Sequence, residues 1–108
     1  MRVTPSQFQE LSRARLLAVA SGVATTALPH RLPAGQDANV VVSRFLELAN
    51  SYGITGERAQ VRFVCLALIA GEDHVRQPDV AQRFRAELHP DSLVDRMLKS
   101  LARGGAQP

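Results

Sequence analysis

A single cysteine, Cys65, excludes an internal disulfide framework, and its place inside the most apolar run predicts a buried structural thiol. No base stands beside it in sequence, so a catalytic thiolate is not expected. No run reaches the ~20 consecutive apolar residues of a membrane span, which predicts no membrane partner. Lysine is nearly missing, since the cations are twelve arginines and Lys99 alone. Alternating apolar and polar residues of useful length are absent, as is any internal repeat, so neither a sheet nor a solenoid is expected. There is no G-x-S-x-G, no Walker loop and no H-E-x-x-H. His30, His74 and His89 fall on three separate connections, and no acid–base constellation follows from them. The reading is of a chain that is not an enzyme, with no catalytic residue and no cofactor.

What the sequence does contain is centred on Val61 to Ala70. From Phe63 onward eight consecutive residues are apolar, so a helix there has no polar face left. Such a helix is buried among others when it is too short to cross a bilayer. At 108 residues with 45% apolar content, one helical domain is expected. A chain of this length buries roughly two-thirds of its unfolded surface.

The other helices follow from their ends. Thr4, Pro5 and Gln7 form a complete start, with a cap, a pre-set first dihedral and a capping-box partner. That helix is expected from Pro5 to about Thr26, with Phe8, Leu11, Leu17, Ala20, Ala24 and Leu28 inward. Pro29, Pro33 and Gly35 mark an irregular link. Asp37 is the expected cap of a second helix reaching about Ser51, with Val41, Val42, Phe45, Leu48, Ala49 and Tyr52 as its apolar stripe. Gly53 ends it. Thr55 is the expected cap of the central helix, and Glu57 suits its first turn. Residues 72–78 read as a turn. A fourth helix is expected from Pro78 to Leu88, with Leu88 inward, and a fifth is capped by Asp91. Asp79–Arg83 and Asp95–Lys99 are spaced as surface i,i+4 pairs. Gly104-Gly105 closes the fold, leaving 104–108 as a disordered tail.

Three local features invite chemistry and yield to simpler readings. Glu72, Asp73 and His74, with Asp79 nearby, suggest a metal, but no Cys or His pair stands at ligand spacing, so no metal is expected. His89-Pro90-Asp91, preceded by FRAEL, resembles the loop of J-domain co-chaperones. Phe84 is too close to it and the family's preceding basic residues are missing, while a helix end, a breaker and a cap explain all three. YGITGE could be the turn of a helix-turn-helix, yet the helix after it is almost wholly apolar and cannot read base edges. With a net charge of +3 and no dense basic stripe, nucleic acid is an unfavoured partner. LLAVASGVATTA, after Arg13 and Arg15, is similar to a secretory apolar region. VTPSQFQEL before it reads as a folded helix, and the expectation is a cytoplasmic chain.

The segment SYGITGERAQVRFVCLALIAG resembles small helical accessory proteins of bacterial type VI secretion effector clusters. The matching residues are Tyr52, Gly53, Ile54, Glu57, Arg58, Arg62 and Phe63, and VTPSQFQEL is similar to that family's first helix. The pattern departs at Ala59, where an acidic residue would stand. The resemblance implies a co-chaperone that binds an effector's chaperone or adaptor before loading. The same compact, arginine-rich character fits an immunity protein that neutralises a toxin, and a homodimer stays open.

Arginine suits planar contacts to carboxylates, so an acidic protein surface is the expected partner. Arg58 and Arg62 stand one turn apart with no acid three or four residues away on their own helix, and they are the first candidates for partner binding. An internal acid such as Glu47 could equally serve them. Arg13, Arg15 and Arg31, from a segment whose only acid is Glu10, form the fallback patch.

Overall fold

The computed structural model describes residues 5–102, with side chains from Arg13 to Leu101. The expected caps Thr4 and Gln7, the inward Phe8 and Leu11, and the tail 104–108 lie outside the described side chains. The architecture is all-α, as the periodicity predicts, and no strand occurs among the described residues. Helix α1 spans Pro5–Ala27 and is followed by a single 3-10 turn, Pro29–Arg31. Then come α2 (Ala38–Ser51), α3 (Glu57–Ala70), α4 (Glu72–Val75), α5 (Pro78–Ala86) and α6 (Pro90–Ala102).

The ends of α2 form as its sequence dictates. The Asp37 carboxylate accepts the Asn39 amide at 2.7 Å. At the other end Gly53 takes φ 81°, and the Ile54 amide reaches back to the Ala49 carbonyl at 3.0 Å. A left-handed residue just past a helix turns the chain and satisfies the last carbonyls, and glycine does this without a Cβ clash. The turn delivers Ile54 fully buried to the top of α3.

Helix α3 is the hub, packed against α1, α2, α4 and α6. Phe63, Val64, Leu66, Ala67 and Leu68 are buried, as the apolar run predicts. Burial is not uniform around the helix, however. Val61, Arg62, Cys65 and Ile69 share a stripe that is only half-buried. Cys65 is therefore not the fully buried thiol expected, although its surroundings still push its pKa up by desolvation. Beside α3 sit three aromatic rings. Tyr52 stacks on Phe84 at 5.1 Å between centroids, and Phe63 meets both edge-on at 5.8 and 5.9 Å. The buried Tyr52 hydroxyl donates to the Val75 carbonyl at 2.6 Å, tying α2 to α4.

Several boundaries differ from expectation. Residues 72–75 close one helical turn because Gly71, at φ 103°, ends α3 and offers its carbonyl to the Val75 amide. Helix α5 stops at Ala86, since Glu87 is already extended ahead of Pro90, and Leu88 points outward at 88% exposure. In α2 Leu46 is buried in the core, whereas Leu48 is only half-buried. Asp95–Lys99 forms at 3.1 Å, but no ion pair joins Asp79 to Arg83; Arg76 bonds Glu72 instead.

The start of α3 is the most instructive departure. Its cap position is Gly56, not Thr55, and no side chain of its own turn caps it. Asp91 does not cap α6 either, because that helix begins at Pro90 with the Ser92 and Leu93 amides on the His89 carbonyl. The Asp91 carboxylate instead accepts the Thr55 amide at 3.1 Å and the Gly56 amide at 3.0 Å. One acid of α6 thus anchors the α2–α3 turn. Inside that turn Gln60 is buried, and its amide donates to Asn50 at 2.6 Å and to the Ile54 carbonyl at 2.8 Å.

Candidate functional site

The first turns of α3 lie against the middle of α1, and a groove of about 550 Å³ opens between them. Leu16 and Val19 of α1 and Val61 of α3 supply its apolar surface, and Arg15, Glu57, Arg58 and Arg62 stand around it. Arg15 and Val19 lie one helical turn apart on α1, as do Arg58 and Arg62 on α3. Val19 is 52% exposed and sets its apolar side chain on the groove surface.

The charges around the groove are unequally matched. Arg15 reaches both carboxylate oxygens of Glu57 at 2.7 and 2.8 Å, with the two side chains 67% and 55% exposed. An ion pair this wet contributes little to stability and is open to exchange. Arg62 is held at 2.9 Å by Asp95 of α6. Asp95 lies below the usual carboxylate range because Lys99 hydrogen-bonds it, with the charges of Lys99 and Arg62 adding to the effect. Arg58 is exposed and makes no ion pair or side-chain hydrogen bond among the described residues.

The two candidate patches are therefore redistributed. Arg15 leaves its fallback group and joins Arg58 and Arg62 at one groove. Arg13 and Arg31 are exposed but do not line it. The acid opposite Arg62 is internal, as one of the two readings had it, yet it is Asp95 rather than the exposed Glu47.

No family model, curated protein or solved structure matches this chain. Its site therefore has to be judged on its own chemistry. Among the described residues no group of three His, Cys, Asp or Glu side chains is placed to hold a metal. No described helix is long and apolar enough to cross a membrane.

The remaining charged clusters brace the fold. Glu72 accepts from Arg44 at 2.8 Å and from Arg76 at 2.9 Å. Burial raises the Glu72 pKa, but the bonds and charges of these arginines together outweigh it and leave it low. Glu87 is also low, chiefly through its bond from Arg96 at 2.8 Å. A smaller hollow of about 260 Å³ between α3, α5 and α6 carries Arg83 and Arg96 at its edge, the second already bound to Glu87.

Sequence reasoning missed Leu16, Val19 and Val61, the apolar half of the groove. The inward stripe of α1 was legible, with Ala20 and Ala24 buried and Leu17 and Leu28 half-buried. With no charged residue between Arg15 and His30, however, nothing marked Leu16 and Val19 as the side that lines a groove.

Proposed function

We propose that this protein is a non-enzymatic protein-interaction module. Its proposed role is that of a cytoplasmic co-chaperone, binding an effector's chaperone or adaptor in type VI secretion. One observation carries the interaction reading: the α1–α3 groove joins exposed apolar surface to an arginine, Arg58, that has no acid within the described residues. Apolar contact supplies affinity, and an unmatched guanidinium supplies register and encounter rate toward an acidic surface. The secretion setting is supported separately, by the resemblance carried by Tyr52, Gly53, Ile54, Glu57, Arg58, Arg62 and Phe63.

Affinity capture of the full chain from its native host tests this. The co-chaperone reading expects a chaperone or adaptor protein in stoichiometric amount. Recovery of a toxin that loses activity on binding would replace it with the immunity reading. Recovery of nucleic acid, released steeply by salt, would replace both.

A further inference from the structure

Two helices bound the groove, and its apolar contacts run along them: Leu16 and Val19 one turn apart on α1, Val61 on α3. An extended segment laid there would face valine and leucine with its own amides and carbonyls unpaired, since no sheet edge exists among the described residues. A helix satisfies its own backbone and packs its side chains between those of α1 and α3. The charge at the groove is equally selective. Among the described residues three arginines stand there with one glutamate, which Arg15 already holds, and Asp95 serves Arg62 from outside. What is lacking among the described residues is a carboxylate opposite Arg58, next to apolar side chains.

A second copy of the chain is a poor source of that group. Among the described residues its exposed large apolar side chains outside the groove are Val40 and Leu88. The acids within one turn of them are already engaged: Asp37 caps α2, Glu87 holds Arg96, and Asp91 holds the Thr55 and Gly56 amides.

Resting on the protein-binding reading, we infer that the α1–α3 groove receives an amphipathic helix of another protein. That helix carries a carboxylate within one turn of its apolar stripe and sets it against Arg58. Val19, Leu16 and Val61 take the stripe. The Arg15–Glu57 pair, being mostly in water, adjusts around it.

Photo-crosslinking in the native host tests the inference on the full chain. A benzophenone amino acid replaces Val19 in the groove, and in separate strains replaces Val40 or Leu88, which are exposed elsewhere. The crosslinked residue is mapped by mass spectrometry. The expected product at Val19 is a segment of another protein with helical apolar spacing and an Asp or Glu within one turn. Arg58→Glu should lower its yield about tenfold. Reversing the partner's acid to Arg should restore the yield, and the mapped segment made as a peptide should gain helicity on binding. Arg58 has no described partner, so the thermal melt of Arg58→Glu should match the parent; Arg58→Gln replaces it if that melt falls.

A Val19 crosslink to the chain's own sequence, to nucleic acid or to a segment lacking an acid overturns the inference. So does a yield indifferent to Arg58, or a peptide that binds without gaining helicity. Silence at Val19 with protein captured at Val40 or Leu88 overturns the groove and leaves the protein-binding reading standing. Silence at all three positions, with nothing recovered by affinity capture, removes both.

Discussion

The Asp91 clamp makes a sign prediction at Gly56. Gly56 sits at φ −72° and ψ 137°, a conformation open to any residue. Alanine at such a glycine ordinarily stabilises a protein by ~0.4–1 kcal/mol, by restricting the unfolded chain. Here a Cβ would come within 2.6 Å of Asp91 Oδ2, so the carboxylate must swing away. Its bonds to the Thr55 and Gly56 amides are then lost. Bonds to a charged acceptor contribute ~1.5–3 kcal/mol each when shielded. Thr55 is exposed and Asp91 half-buried, and water replaces part of that, leaving about 1–2 kcal/mol for the two together. Gly56→Ala should therefore destabilise by about 0.5–1 kcal/mol, and by no more than Asp91→Ala does. In the Asp91→Ala background the obstacle is gone, and the same change should stabilise by ~0.4–1 kcal/mol. Urea unfolding of the four proteins, followed by far-UV circular dichroism, measures the cycle. A coupling below ~0.5 kcal/mol, or a Gly56→Ala protein more stable than the parent, would refute the clamp.

Four further outcomes are expected. Leu66→Ala, at a fully buried position on α3, should cost ~2–5 kcal/mol in the same assay, and a protein as stable as the parent would remove α3 from the core. Tyr52→Phe keeps the ring stack but leaves the Val75 carbonyl without the hydroxyl's proton, and should cost ~1–3 kcal/mol. Glu72, Glu87 and Asp95 all have folded pKa values below their ordinary ones, so the unfolded chain binds more protons as the medium acidifies. The stability they contribute is complete above about pH 5 and drains as pH falls through the carboxylate range; a melting temperature flat from pH 6 to about pH 3 would contradict this. Arg62→Glu should lower the melting temperature by setting a carboxylate against Asp95, while Arg58→Glu leaves it unchanged; equal effects would mean the two arginines share one environment.

Some helix ends were legible because they are local: Asp37 sits two residues from the amide it caps, Gly53 turns the chain just past the end of α2, and proline opens α5. The starts of α3 and α6 were not, since Gly56 rather than Thr55 begins one and Pro90, expected only to break a helix ahead of an Asp91 cap, opens the other. Burial of α3 was legible for a related reason: eight apolar residues in a row leave most directions only one solvent, the protein interior. Those signals act within one or two turns and need no knowledge of the rest of the chain. The site depended on distances the chain order conceals. Asp95 lies 33 residues from Arg62, Asp91 lies 35 from Gly56, and Glu57 lies 42 from Arg15. Which carboxylate meets which donor is set by how α1 and α6 rotate and cross against α3. The same rotation left Val19 and Arg58 facing a groove: the uncharged stretch after Arg15 shows its inward stripe, Ala20 and Ala24, but not which helix will flank it.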